Sequence, residues 1–147
     1  MDRILIVDDE FLIRYTLEEG LKDRGYDAYS AATVEEGLEF VRKYHPGVLL
    51  LDNLLENSVG MDEIVNFKNA DEELQVIMMT AYGSVSQAVE ATKRGAYDYI
   101  LKPFDTQMVL SRIRTAVNEE SAQNHVINTV YAVSYTHLRA HETLRHL

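Results

Sequence analysis

The sequence predicts an α/β fold in which five strand–helix units build a parallel sheet with helices on both faces. Four short apolar runs without alternation favour strands that are buried on both sides, and they lie at residues 4–7, 48–51, 76–79 and 97–101. A weaker run at residues 26–30 supplies the fifth strand. Amphipathic stretches separate these runs, and this alternation is typical of right-handed crossovers in a parallel sheet.

Apolar residues at helical spacing predict one helix after each strand. The five stripes are Leu12, Tyr15, Leu17 and Leu21; Val34, Leu38 and Val41; Ile64, Val65 and Phe67; Val85, Ala88 and Val89; and Met108, Leu110, Ile113 and Val117.

The predicted helix boundaries depend on capping residues. Thr33 and Ser84 are each followed three residues later by Glu or Gln, which is typical of a helix start. Gly25, Gly47 and Gly95 follow predicted helices, where a left-handed residue is common.

Composition narrows the possible functions. The chain has 147 residues, which suits one domain with a core of its own, and it contains no cysteine, which excludes disulfides and thiolate chemistry. A formal net charge of −10 argues against direct contact with nucleic acid by this segment. No apolar run reaches the ~18–20 residues of a membrane span, and the first residues lack a signal-peptide pattern, so we expect a cytoplasmic domain without membrane contact.

Charged and polar side chains follow four of the predicted strands. Asp8 and Asp9 follow the first strand, Asp52 ends the third, Thr80 ends the fourth, and Lys102 follows the fifth. In open α/β sheets the functional crevice lies beyond the carboxyl ends of the strands, so these side chains converge. Each residue alone is typical of a cap or a turn. Three neighbouring carboxylates, however, need a positive charge, and Mg²⁺ with its oxygen ligands supplies one.

These residues resemble, in order and spacing, the signature of receiver domains from two-component response regulators. The resemblance rests on Asp8-Asp9, Asp52, Thr80 and Lys102-Pro103 and covers residues 1–120. It implies a flavodoxin-like doubly wound sheet with strand order 2-1-3-4-5. Residues 79–84 and 95–105 resemble more narrowly the receivers of nitrogen-regulation type, which commonly precede a sigma-54-dependent ATPase module and a DNA-binding domain.

The resemblance implies a role for each site residue. Asp52 would accept a phosphoryl group from a phosphohistidine of a sensor histidine kinase. Asp8, Asp9, Asp52 and the backbone carbonyl of Leu54 would hold Mg²⁺, with Asp8 acting through water. Lys102 would contact a phosphoryl oxygen, and the peptide bond that follows it is implied to be cis.

The resemblance also implies a conformational switch. Thr80 would donate its hydroxyl to the phosphoryl group, and Tyr99 would move into the space that Thr80 vacates. Plain core packing is the alternative role for Tyr99. The face formed by helix four, strand five and helix five would then pair two copies of the chain or dock a target, and so regulate transcription through downstream domains.

One departure from the family pattern concerns the loop after Asp52. Family members usually carry proline four residues after the phosphoacceptor, where this chain has Glu56. We expect a looser loop and an added negative charge near the pocket. Glu63 also stands where many members have glycine.

Three other functions remain as alternatives. A haloacid-dehalogenase-like phosphatase also uses an aspartyl nucleophile with Mg²⁺, but it generally needs a second Asp two residues later, where this chain has Leu54. An interaction module that never binds phosphate would have lost an acidic or lysine position, and none is lost. A free-standing receiver in a phosphorelay stays open. We expect no enzyme activity beyond self-catalysed phosphotransfer and dephosphorylation.

The expected domain organisation has three parts: a receiver domain at 1–120, the start of a linker helix at 121–131 that continues helix five, and a non-native tail at 132–147. Residues 133–143 resemble, in one reading frame, the translation of a transposase mosaic-end sequencing adapter. A genuine histidine-rich tail that binds metal is the alternative.

Overall fold

Five parallel strands form one sheet in the order β2-β1-β3-β4-β5 in a computed structural model that describes residues 2–81 and 83–118. The strands are β1 Arg3–Val7, β2 Asp27–Ala31, β3 Val48–Asp52, β4 Gln75–Thr80 and β5 Ala96–Leu101. The helices are α1 Phe11–Asp23, α2 Val34–Tyr44, α3 Gly60–Ala70, α4 Val85–Lys93 and α5 Thr106–Val117. The fold class, the strand order and the number of units predicted from the sequence are confirmed. None of these helices has the length and apolarity needed to cross a bilayer.

Each face of the sheet carries its own apolar core. Alternate residues of β1 point to opposite sides, so Ile4 and Ile6 pack with α1 and α5, whereas Leu5 and Val7 pack with α2 and α3. Every residue of β3 is buried. Burial on both faces explains the continuous apolar runs, and it makes the sheet a firm platform for the residues at its carboxyl edge.

Two residues of the apolar stripe predicted for α1 are exposed rather than buried. Leu17 and Leu21 are buried as expected, and Ile13 packs against the same core. Leu12 and Tyr15, by contrast, are 64% and 55% exposed. Spacings of four residues keep Ile13, Leu17 and Leu21 on one line of the helix, and Leu12 and Tyr15 lie outside that line.

The left-handed residue after α2 is His45 rather than the predicted Gly47. His45 has φ 49°, and its backbone N–H donates to the carbonyl of Val41 at 3.0 Å. Pro46 follows directly, which moves the helix end two residues ahead of the glycine. The other two predictions are confirmed, because Gly25 and Gly95 have φ values of 90° and 111°.

The predicted helix starts are confirmed by side-chain caps. Thr33 and Ser84 each accept a hydrogen bond from the amide three residues later, at 3.2 and 3.1 Å. Asp105 caps α5 in the same way. Within the part of the chain that the structure describes, helix α5 ends at Val117. The predicted linker and tail, residues 121–147, lie outside the described residues and stay predictions.

Substitutions in α3 test how the helix is oriented against the sheet. Phe67 is fully buried, and Val65, from the same predicted stripe, is 50% exposed. We expect Phe67→Ala to lower the free energy of unfolding by about 3–5 kcal/mol because it leaves a cavity. Val65→Ala is the control and should change it by less than about 0.5 kcal/mol. Urea titration followed by circular dichroism measures both, and similar losses in the two variants would contradict this packing.

Candidate functional site

Three carboxylates meet at the carboxyl edge of the sheet. Asp8 and Asp9 follow β1, and Asp52 ends β3, which pairs with β1 in parallel register. One carboxylate oxygen from each residue lies within 4.8 Å of the others. Asp8 is fully buried and Asp52 is 5% exposed, whereas Asp9 is exposed to solvent. The sequence-predicted cluster is therefore assembled, with one open side.

Lys102 is the cation that faces this cluster. Its Nζ lies 2.9 Å from Oδ1 of Asp52 and 3.4 Å from Oδ2 of Asp8. The backbone N–H of Lys102 donates to the carbonyl of Thr80 at 2.7 Å, which fixes the strand end next to β4. The Lys102-Pro103 peptide bond is cis, as the sequence analysis anticipated.

Burial and neighbouring charges shift the pKa values of Asp8, Asp52 and Lys102. Burial raises the pKa of Asp52, with a smaller contribution from Asp9, and the hydrogen bond and charge of Lys102 oppose the increase. Burial likewise raises the pKa of Asp8, against the backbone N–H of Glu10 that donates to it at 2.9 Å. Burial lowers the pKa of Lys102, but the hydrogen bond to Asp52 and the two carboxylate charges outweigh it and raise the pKa. One ammonium thus faces three carboxylates.

The donor set fits a hard divalent cation. Asp8, Asp9 and Asp52 offer only carboxylate oxygens, which are the ligands that Mg²⁺ prefers. A cation there offsets the carboxylate charge that Lys102 leaves uncompensated. Leu54, the fourth predicted ligand, lies in the loop after β3, with an exposed side chain and an isolated bridge to Val59.

Residues that sequence analysis missed hold the backbone just after Asp52. The N–H of Asn53 donates to the carbonyl of Met79 at 2.8 Å, and its carbonyl accepts from the N–H of Gly60 at 2.7 Å. Oδ1 of Asn53 accepts from the N–H of Met61 at 2.9 Å. A Cβ on Gly60 would lie 2.2 Å from the carbonyl oxygen of Asp52, so only glycine fits there. A glycine at the start of the predicted amphipathic helix was the available signal.

The two predicted switch residues lie on neighbouring strands. Thr80 ends β4 and is buried, one residue beyond Met79, which pairs with Asp52. Tyr99 is half-buried on β5, and its hydroxyl donates to Oε1 of Gln87 in α4 at 2.9 Å. Burial raises the pKa of Tyr99. In this structure Tyr99 is thus joined to α4.

An apolar groove of about 470 Å³ opens beside the pocket, between α1 and the connection from β5 to α5. Lys102 and Ala81 form its end towards the carboxylates, and Leu12, Pro103 and Phe104 line its length. The side chains of Leu12, Phe11 and Tyr15 are exposed on the same end of α1.

Glu56 is an exposed residue of the loop between β3 and α3. It lines a second groove with Glu35 and Leu38 of α2 and with Glu63 of α3. Asp52 is faced by Lys102, by the carboxylates of Asp8 and Asp9, and by the backbone N–H of Leu54.

Fold and site together define a class of protein: a doubly wound α/β domain with an acidic, lysine-bearing crevice at the carboxyl edge of its sheet, suited to a divalent cation. The response regulator receiver domain family matches residues 4–114, and the chain belongs to this family. It is a receiver domain of the kind found in two-component response regulators.

Curated relatives include proteins of different lengths. The chain is 36% identical over 118 residues to sporulation initiation phosphotransferase F of Bacillus subtilis, covering 80% of this chain and 92% of that protein. It is 34% identical to the probable transcriptional regulator ycf27 of Porphyridium aerugineum (87% and 54% covered) and 31% identical to the regulatory protein AtoC of Escherichia coli (91% and 29% covered). The chain therefore spans about half or less of two of these three relatives.

Solved structures share the fold. A CheY-like receiver domain protein from Methanospirillum hungatei superposes with a TM-score of 0.77 at 29% identity, covering 84% of this chain and 98% of that one. The beryllofluoride-activated NtrC4 receiver domain dimer gives 0.76 at 34% identity, covering 81% and 98%.

The raised pKa of Asp52 predicts that this carboxylate destabilises the metal-free protein. A raised folded-state pKa means that the penalty is present above that pKa and disappears as the pH falls through it. We expect Asp52→Asn to raise the free energy of unfolding at pH 7 by about 1–3 kcal/mol without divalent cations, since one buried charge is removed.

Urea titrations at several pH values in EDTA measure this difference, which should shrink towards acid pH. Glu39→Gln, at an exposed carboxylate of α2, is the control and should leave stability almost unchanged. An Asp52→Asn variant that is less stable than wild type at pH 7 would contradict the account of the pocket.

Proposed function

We propose that the chain is the phosphoacceptor domain of a response regulator and takes a phosphoryl group on Asp52 from a sensor histidine kinase. The observation that carries the proposal is the buried Asp52 carboxylate, held 2.9 Å from Lys102 inside the cluster with Asp8 and Asp9. A carboxylate in this setting is both desolvated and oriented, as a nucleophile requires.

The chemistry follows from the groups in the pocket. An oxygen of Asp52 attacks the phosphorus of the phosphohistidine, the P–N bond breaks, and an acyl phosphate forms while the imidazole leaves. Asp8, Asp9, Asp52 and the carbonyl of Leu54 would hold Mg²⁺, which neutralises charge on the phosphoryl oxygens when bound. Lys102 exchanges its contact with Asp52 for one with a phosphoryl oxygen.

A protein donor is supported by the surface beside the pocket. Phe11, Leu12 and Tyr15 expose apolar surface at the end of α1 that is nearest to Lys102, and the apolar groove continues this surface to Phe104. Exposed apolar patches of this kind mark protein contacts. A kinase seated there brings its phosphohistidine to the open side of the carboxylate cluster.

The output of the switch is a change in the face formed by α4, β5 and α5. Thr80 turns its hydroxyl towards the phosphoryl group, and Tyr99 exchanges its hydrogen bond with Gln87 for an inward position. This face then pairs two copies of the chain and controls transcription through further domains. The similarity to AtoC and to the NtrC4 receiver dimer supports a regulator of nitrogen-regulation type.

Phosphorylation by acetyl phosphate tests the phosphoacceptor. With Mg²⁺ the chain should gain one phosphoryl group by intact-mass spectrometry, because Asp52 makes the shortest contact with Lys102, at 2.9 Å, and keeps slight access to solvent, whereas Asp8 is fully buried. Asp52→Asn should gain none, and EDTA should abolish the reaction. Equal labelling of Asp52→Asn would overturn the assignment.

Sedimentation velocity tests the output. Beryllofluoride with Mg²⁺ should increase the dimer fraction of the chain in a concentration-dependent manner, since the mimic shifts the switch by its differential contacts. Thr80→Ala should remove the response because it removes the hydroxyl that reads the phosphoryl group.

A truncated chain of residues 1–131 is the control for the predicted tail and should respond like the full chain. A response that appears only in the full chain would show that residues 132–147 are a functional part of the protein.

A further inference from the structure

We propose that Asn53 is a positioning residue for Asp52: its side-chain oxygen ties the start of α3 to the end of β3 and thereby sets Mg²⁺ affinity and the rate of phosphorylation. The inference rests on the proposed function of Asp52. The family signature of Asp8-Asp9, Asp52, Thr80 and Lys102-Pro103 does not include position 53, and the role of Asn53 follows from its contacts in this structure.

Asn53 connects three elements. Its backbone N–H reaches β4 through Met79, its carbonyl accepts the N–H of Gly60 at 2.7 Å, and its Oδ1 accepts the N–H of Met61 at 2.9 Å. The first amides of a helix lack partners within the helix. Val59, the residue at the N-cap position of α3, makes no side-chain cap. Asn53 therefore acts as a cap from eight residues earlier in the chain.

The start of α3 lies directly against the backbone of Asp52. A Cβ on Gly60 would lie only 2.2 Å from the carbonyl oxygen of Asp52 and 3.0 Å from Cα of Asn53. Packing this close leaves no room for α3 to shift without moving the strand end. The hydrogen bond from Asn53 to Met61 keeps that contact closed, so it also restrains the carboxylate of Asp52 and the loop that begins at Leu54.

Asparagine suits this position better than aspartate. Both offer the same capping oxygen, and a carboxylate is favourable at a helix N-terminus because of the helix dipole. Here, however, one ammonium already faces three carboxylates next to residue 53. A fourth negative charge would raise the repulsion in the pocket. Asn53 supplies the acceptor without the charge.

Two substitutions separate the acceptor from the charge. Asn53→Ala removes the acceptor, whereas Asn53→Asp keeps it and adds a charge. Asn66→Ala is the matched control. Asn66 is an exposed asparagine of α3, and among the hydrogen bonds of the described residues its side-chain amide contacts only Glu63. All three are made in the full chain and compared with wild type.

Three measurements follow. Amide hydrogen exchange by NMR in EDTA reports the cap itself at Met61, Mg²⁺ titration followed by amide shifts gives the dissociation constant, and acetyl phosphate with intact-mass detection gives the rate. In Asn53→Ala we expect exchange at Met61 to accelerate about tenfold, as for other lost caps, together with weaker Mg²⁺ binding and slower phosphorylation. Asn53→Asp should keep wild-type exchange and bind Mg²⁺ at least as tightly. Asn66→Ala should match wild type throughout.

The outcomes separate this inference from the proposed function. Wild-type Mg²⁺ affinity and phosphorylation rate in Asn53→Ala, with Met61 exchange accelerated, would overturn the positioning role while leaving Asp52 as the phosphoacceptor. If the wild-type chain takes no phosphoryl group, the proposed function fails, and exchange and Mg²⁺ binding still decide whether Asn53 orders the site. If Asn53→Ala unfolds, Asn53→Asp decides: a protected Met61 together with retained Mg²⁺ affinity supports the inference, and weaker Mg²⁺ binding despite a protected Met61 contradicts it.

Discussion

The contact between the Lys102 ammonium and two buried carboxylates is the interaction on which the site depends. Asp8 and Asp52 are almost inaccessible to solvent, and carboxylates at that depth are costly without a compensating charge. Lys102 supplies the charge from β5, two strands away from Asp52 in the sheet. The remaining negative charge, shared with Asp9 on the open side, suits the pocket to a divalent cation. In the proposed phosphorylation, the site gives up local stability so that Lys102 can exchange its contact with Asp52 for one with a phosphoryl oxygen.

The placement of these groups was predictable because each one is either the last residue of a strand or follows the strand directly. A parallel sheet brings its carboxyl ends to one edge, so local sequence at Asp52, Thr80 and Lys102 already determines which side chains meet. Capping by Asn53 was not predictable in the same way. It joins an asparagine to the amide of Met61 across a loop whose path follows no helical or strand period. Only the folded backbone shows that these two groups meet.

Exposure of apolar residues was the other point at which sequence reasoning was incomplete. Leu12 and Tyr15 fit a helical stripe as well as Leu17 does, since spacing alone does not say which line of a helix faces the core. Packing against the sheet determines which line is buried: Leu17 contacts the core, whereas Leu12 stays exposed beside the pocket. His45 shows a similar limit, because the proline after it ends α2 before the glycine that local propensity favours. Both differences arise from tertiary context acting on weak local preferences.

Strand β5 connects the pocket to the surface on both sides of the sheet. Its register shifts beside Val76, after which Tyr99 packs towards α4 while Asp98 is buried and pairs with Arg112 of α5 at 2.7 Å. Lys102 is the first residue after β5. In the proposed phosphorylation, a phosphoryl group that draws Lys102 away from Asp52 would act on a strand held to α4 by a hydrogen bond and to α5 by an ion pair. Discrete contacts of this kind favour two alternative arrangements over gradual deformation, which is what a switch requires.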